Sequence, residues 1–180
     1  VATIYPQATG AGAGERKRGV KAIDDAVAAA FTIGVVEPFN SGLGGIAVMA
    51  YYEASSGKTY ILDGTGPLPM ASRPDQFKLT DSGSVTGVYG WPEVANDANN
   101  TGYMSPAVPG LPALALEALG RFGKLKRAEV LEAAIHHAEQ GYMLDWYIVL
   151  GMAVNQHRLG QFAESRRVFY REDGTCYRAP

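Results

Sequence analysis

Acidic and histidine side chains between residues 132 and 139 are the first candidates for chemistry. Glu132 and His136 are four residues apart, so on a helix they share a face, as two metal ligands would. His137 lies on another face, and the helical zinc-protease motif is absent. We therefore interpret Glu132, His136, His137 and Glu139 as a solvated helix surface and His157 in the same way, and we predict no metal site.

The adjacent carboxylates Asp24 and Asp25 are a second candidate, for acid–base catalysis. Neighbours on a helix project about 100° apart, so the two groups cannot share one proton. Asp24 is instead predicted to stabilise the first turn of a helix through its dipole. The sequence also lacks the Gly-x-Ser-x-Gly turn of a nucleophilic serine, and no Ser-His-Asp arrangement is predicted. Residue types alone therefore predict only a soluble fragment that mixes helices and strands.

The glycine-rich stretch at residues 41–45, Ser-Gly-Leu-Gly-Gly, is a third candidate. A phosphate-binding loop follows a strand and begins a helix, whereas this stretch follows a predicted helix and precedes a predicted strand. We interpret it as a tight connection in which backbones approach closely, and we predict no nucleotide binding. A side chain at Gly44 or Gly45 is expected to harm folding or precursor cleavage.

Composition predicts a packed core and excludes several classes of partner. The 180 residues are 47% hydrophobic and 19% charged, which fits one domain or part of one. The net charge is -2 without long runs of one sign, so no nucleic-acid or membrane partner is expected. The basic cluster Arg16-Lys17-Arg18 is interpreted as a solvated helix face. The single cysteine, Cys176, excludes an internal disulfide and leaves a periplasmic, secreted or cytoplasmic location open.

Apolar periodicity predicts helices joined by one β-hairpin. The predicted helices are Gly10–Gly19, Lys21–Val36, Leu111–Phe122, Leu131–Ala138 with a stop at Gly141, and one capped by Asp145 that runs to about Leu159. The hairpin consists of a buried strand at Ile46–Ala54 and a second strand at Thr59–Asp63. Little regular structure is expected between Ala71 and Tyr103, and Val168–Tyr170 is interpreted as the start of a strand. The first six residues do not resemble a signal peptide, and the last ones are expected to continue into a longer protein.

A series of segments, in order, resembles the γ-glutamyltransferase family of N-terminal-nucleophile hydrolases. They are residues 1–9, Ala22–Ala30, Gly34–Pro38 with Ser41–Gly45, the hairpin end Leu62-Asp63-Gly64, Val108-Pro109-Gly110, Arg121–Leu125, and Ala134-Ile135 with Glu139–Tyr142. The resemblance implies an α+β fold, a four-layer αββα sandwich, of which residues 1–180 supply the N-terminal portion of the large subunit. The rest of the large subunit and the catalytic small subunit lie outside this sequence.

The resemblance also implies a mechanism that needs no metal or cofactor. Such precursors cleave themselves, and the new N-terminal threonine of the small subunit is the nucleophile. Its own α-amine acts as the base, and backbone N–H groups stabilise the oxyanion. Thr3, Thr9 and Thr32 match other family positions, so no catalytic residue is expected in this chain, which should be inactive alone. Its expected partners are the small subunit and a small-molecule amide.

One departure from the family pattern bears on the substrate. After Leu-Asp-Gly the transferases carry an arginine that binds the α-carboxylate of the γ-glutamyl group, and here that position is Thr65. One hydroxyl cannot replace a bidentate guanidinium, so the pocket resembles that of acylases or oxamate-type amidohydrolases. Thr65 is therefore predicted to bind substrate, and Arg73 is a candidate to replace the missing cation. A true γ-glutamyltransferase with a relocated arginine and a non-catalytic binding relative are the alternatives.

Overall fold

The long buried helix α2 (Ala22–Val36) is the element on which the others pack. It contacts α1 (Pro6–Arg16), α4 (Leu111–Phe122) and α5 (Arg127–Gln140). The coordinates are a computed structural model that describes residues 1–16, 21–86 and 89–179. The predicted basic cluster at residues 16–18 falls outside the described side chains. No helix in the described ranges combines the length and apolar character that a membrane crossing requires.

The other elements are short and follow the predicted order. They are α3 (Pro38–Ser41), β1 (Ala47–Glu53), β2 (Lys58–Gly64), β3 (Val85–Thr86), β4 (Trp91–Pro92), a 3-10 turn at Ala95–Asp97, α6 (Trp146–Val154), α7 (Gln156–Leu159) and α8 (Ala163–Phe169). The segment expected to lack regular structure, residues 71–103, therefore contains the small β3–β4 ribbon and the 3-10 turn.

The predicted hairpin is confirmed, with β1 and β2 antiparallel and Tyr51 paired with Tyr60. The prediction that its first strand is buried is wrong, because the exposure of β1 alternates from residue to residue. Its inner face packs on α4, where the ring of Phe122 lies 4.8 Å from the ring centroids of both Tyr51 and Tyr60. Its outer face is apolar and open, with Val48 and Ile61 each 65% exposed. Such a hairpin is stabilised on one side only.

Two predictions at the helical end need correction. The helix from Asp145 is capped as predicted, since Asp145 Oδ1 accepts a hydrogen bond from the Ile148 N–H at 2.9 Å. It is interrupted at Asn155, however, and continues as the separate short helix α7. Val168 and Phe169 belong to α8 rather than to a strand, and only Tyr170 forms a β-bridge, with Cys176. The run Ala-Glu-Ser-Arg-Arg before them favours helix and carries them into it.

Asp24 does more than stabilise the first turn of α2. The side chain is fully buried, and its Oδ2 accepts from the Lys21 N–H at 2.9 Å, which caps the helix. Its Oδ1 accepts from the N–H groups of Lys124 at 2.9 Å and Leu125 at 3.0 Å. One carboxylate therefore joins the start of α2 to the connection between α4 and α5.

We predict that Asp24→Ala in the complete protein opens the α4–α5 connection. Three backbone N–H groups would lose a charged acceptor in a buried site, which should cost about 3 kcal/mol of stability. Hydrogen exchange at the Lys124 and Leu125 amides should accelerate, and the urea midpoint should fall. The control is Asp75→Ala in an exposed turn, and equal exchange in both variants would contradict the assignment.

Candidate functional site

The segment that carries Thr65 is positioned by two glycines that touch across the fold. Gly64 ends β2, and Gly110 is the residue before α4. A Cβ on Gly110 would lie 1.9 Å from the carbonyl oxygen of Gly64, and a Cβ on Gly64 would lie 2.8 Å from Leu114 Cβ. Neither position has room for a side chain. The end of the hairpin therefore sits directly on the beginning of α4.

Two backbone hydrogen bonds complete this junction. The Leu111 N–H donates to the carbonyl oxygen of Gly45 at 3.2 Å, and the Val108 N–H donates to Pro67 at 3.0 Å. The glycine-rich stretch, the loop after β2 and the start of α4 thus meet at one place. Segments quoted for the family resemblance are neighbours here, although up to 66 positions separate Gly45 from Leu111 in the sequence.

The glycine-rich stretch forms the predicted tight connection between a helix and a strand. The closest approach is at Gly42, where a Cβ would lie 2.3 Å from the carbonyl oxygen of Pro38. At Gly45 the corresponding distance, to the carbonyl of Gly42, is 3.1 Å. A Cβ on Gly44 meets no described atom within 4 Å, so no steric clash among the described residues supports the expectation at that position. Its effect on precursor cleavage stays a prediction.

Thr65 lies on the surface and donates its hydrogen bonds to Asp63. Its backbone N–H reaches Asp63 Oδ1 at 2.9 Å, and its hydroxyl donates to the same oxygen. The hydroxyl and then the N–H hold the pKa of Asp63 below its usual range, although the carboxylate is exposed to solvent. The position where the transferases carry arginine therefore presents a hydroxyl already bound to an anionic neighbour.

Arg73, the other predicted substrate residue, is exposed and begins a turn. Its N–H donates to Gln76 Oε1 at 3.1 Å, and the Gln76 N–H returns to the Arg73 carbonyl at 3.2 Å. Among the described residues its guanidinium makes no ion pair or hydrogen bond with a protein group. No contact joins it to Thr65 in the described part of the chain, so a role for either residue in substrate binding stays a prediction.

The residues considered first for a metal site lie on the surface of α5, as interpreted. Glu132, His136 and Glu139 are exposed, and His137 is half-buried. Within residues 1–16, 21–86 and 89–179, no group of three or more histidine, cysteine or carboxylate side chains is placed to hold a metal ion. His157 is exposed on α7.

Sequence reasoning missed a cleft of about 550 Å³ between α3, α6 and α8. Phe39, Met152 and Phe162 line it together with Arg158, whose Nε donates to Asp97 Oδ2 at 2.8 Å. Asp97 has a φ of 54°, in the left-handed region that non-glycine residues seldom adopt. The asparagine- and aspartate-rich run at residues 96–100 is the feature of the sequence that indicates a left-handed turn beside the cleft, because these residues tolerate that conformation. The cleft shares no lining residue with the loop that carries Thr65.

The chain is similar to known proteins over most of its length. The family model described as gamma-glutamyltranspeptidase matches residues 8–179. The chain belongs to the γ-glutamyltranspeptidase family. It is 31% identical to the glutathione hydrolase proenzyme of Bacillus subtilis (strain 168) over 163 residues, which are 91% of this chain and 26% of that protein. It is 34% identical to the acylase ACY 1 proenzyme of Pseudomonas sp. (strain V22) over 149 residues, 82% of this chain and 26% of that protein.

Solved structures agree with this assignment. The γ-glutamyltranspeptidase of Pseudomonas nitroreducens, complexed with L-DON, superposes with a TM-score of 0.80 at 29% identity, over 100% of this chain and 49% of that one. The predicted resemblance and the α+β fold of the N-terminal-nucleophile type are thereby confirmed. The chain spans about a quarter of the length of the curated relatives that it matches.

We predict that Gly110→Ala in the complete protein displaces the loop of Thr65. The new methyl group would overlap the Gly64 carbonyl, and backbone on both sides leaves no flexible side chain to yield. The melting temperature should fall. Gly120→Ala, in the exposed last turn of α4 with no described atom of another element within 4 Å, is the control and should stabilise by about 0.5–1 kcal/mol. Equal effects of the two variants would contradict the steric explanation.

Proposed function

We propose that residues 1–180 are the N-terminal portion of the large subunit of a self-processed amide hydrolase of the acylase or amidohydrolase type. The nucleophile is the N-terminal threonine of a small subunit that lies outside this sequence. Both curated relatives described above are named proenzymes, which supports processing of one precursor into two subunits. This chain contributes substrate-binding residues and no catalytic group.

The single observation that carries the acylase proposal is the pairing of Thr65 with Asp63. An α-amino-acid carboxylate that enters a pocket needs a cationic partner, because an unpaired buried charge is costly. The Thr65 hydroxyl already donates to the Asp63 carboxylate, which is itself anionic. A pocket bordered by this pair favours acyl groups that lack a free amino-acid head.

A true γ-glutamyltransferase or glutathione hydrolase is the second candidate. It is favoured by the glutathione hydrolase of Bacillus subtilis, which is similar over 91% of this chain. It requires another cation to take the place of the arginine, and Arg73 is exposed and has no ionic partner among the described residues. A non-catalytic binding relative is the remaining alternative, which an intact self-cleavage site in the complete protein would exclude.

The exposed outer face of the hairpin supports the proposal that another layer of the protein packs on it. Val48, Tyr52 and Ile61 are each more than 60% exposed on the side opposite α4. A contiguous apolar face of this kind normally marks an interface. We propose that the remainder of the same precursor, including the small subunit, covers it through an interface on the order of 2,000 Å² or more in total.

We predict that Ile61→Glu in the complete precursor prevents assembly and self-cleavage. A carboxylate placed in the middle of the covered face would have to be buried without a partner. Ile135→Glu, at a half-exposed isoleucine on α5, is the matched control and should be cleaved normally. The yield of separated subunits on a denaturing gel is the measurement. Normal cleavage of the Ile61 variant would show that this face stays open to solvent.

We predict that Thr65→Arg in the processed enzyme shifts preference toward γ-glutamyl substrates. The guanidinium offers a bidentate contact to the α-carboxylate, whereas Thr65→Lys supplies charge without that geometry and should shift the preference less. Thr65→Val should weaken the native reaction mildly. The measurement is kcat/KM for a γ-glutamyl anilide against a panel of simple acyl anilides. A wild-type preference of tenfold or more for the γ-glutamyl substrate would replace the acylase proposal with the transferase alternative.

A further inference from the structure

The strand register places Asp63 on the outer face of the hairpin. It pairs with Val48 across the two strands, and Ile61, two residues earlier on the same strand, shares its face. Asp63 is therefore a charged residue at the end of a largely apolar surface. It stands where that surface meets the loop of Thr65.

Among the described residues, hydrogen bonds reach only one of the two carboxylate oxygens of Asp63. Oδ1 accepts both hydrogen bonds from Thr65, and Oδ2 accepts none from the described residues. The hydrogen bonds also fix the orientation of the carboxylate and hold its pKa below the usual range, so the group is ionised at neutral pH. The free oxygen is thus a pre-oriented anionic acceptor beside the predicted substrate position.

We propose, on the basis of the function proposed above, that Asp63 determines the class of acyl group that the enzyme accepts. Its charge disfavours acyl chains that end in a carboxylate. Oδ2 accepts a hydrogen bond from acyl chains that end in a cationic group such as an ammonium. Thr65 positions the carboxylate for this role instead of binding the substrate head itself. The preferred substrates are then amides whose acyl chain ends in a cationic or neutral group.

The chain contains a matched control for this charge. Asp173-Gly174-Thr175 repeats the tripeptide Asp63-Gly64-Thr65, and the Thr175 N–H and hydroxyl donate to Asp173 Oδ1 at 3.0 and 2.6 Å. The pKa of Asp173 is lowered first by the Thr175 hydroxyl and next by its N–H, as at Asp63. Asp173 is likewise exposed, but it follows α8 rather than the hairpin. Asp173→Asn therefore removes the same charge from the same local hydrogen bonds at another place.

The test uses the fully self-cleaved enzyme and three p-nitroanilides of similar acyl length. Glutaryl, valeryl and 5-aminovaleryl groups end in a carboxylate, a methyl group and an ammonium respectively. Wild-type kcat/KM should be lowest for the glutaryl and highest for the 5-aminovaleryl substrate. Asp63→Asn keeps the acceptor for Thr65 and should raise the glutaryl-to-valeryl ratio by about tenfold, the order expected for one nearby charge in a partly solvated site. Asp173→Asn should leave the glutaryl-to-valeryl and the 5-aminovaleryl-to-valeryl ratios of kcat/KM unchanged.

A measurement on the wild-type enzyme needs no variant. Because the discrimination is electrostatic, the glutaryl-to-valeryl ratio should rise as KCl is increased from about 50 mM to about 1 M. A ratio that is independent of salt, or the same within twofold in Asp63→Asn and wild type, overturns the role of Asp63 while amide hydrolysis stands. If the fully cleaved wild-type enzyme hydrolyses none of the three anilides, the proposed function itself is overturned, and the role of Asp63 with it.

Discussion

The position of the candidate site depends on a contact between two residues that have no side chains. Gly64 and Gly110 bring the end of β2 and the start of α4 into direct backbone contact, closer than any Cβ would permit. This approach places the inner face of the hairpin on α4, with Tyr51 and Tyr60 around Phe122. It also determines where the chain leaves the strand. The loop of Thr65 is thus held by packing between elements and not by its own hydrogen bonds alone.

The same tripeptide serves different physical purposes at its two places in the chain. In both copies the aspartate accepts two hydrogen bonds from the threonine two residues later. Gly174 is required by its backbone, since its φ of 78° is in the left-handed region. Gly64 lies in a strand and is required because Gly110 and Leu114 leave no room for a side chain there. Local sequence identity therefore does not disclose whether a glycine serves a turn or a packed junction.

The hairpin leaves one apolar face without a covering element among the described residues. One face of the sheet is covered by α4, while the opposite face exposes Val48, Tyr52 and Ile61. A two-stranded sheet with an apolar face open to water is marginally stable, which supports the proposal that the rest of the precursor covers it. The chain matches about a quarter of the length of its curated relatives, which agrees with that proposal.

The sequence alone determined the features whose causes lie within a few residues. Helix α2, the cap at Asp145, the stop at Gly141 and the hairpin turn follow from local periodicity and local hydrogen bonds. The family segments also identified Thr65 as a departure of chemical interest. Tertiary structure decided the rest, since Asp24 binds amides 100 residues away and Gly64 meets Gly110 across the fold. The hydrogen bonds from Thr65 to Asp63 are local, since Thr175 and Asp173 form the same pair elsewhere in the chain. Tertiary structure decided where that pair lies, because the strand register puts Asp63 on the outer face of the hairpin and Gly64 packs on Gly110.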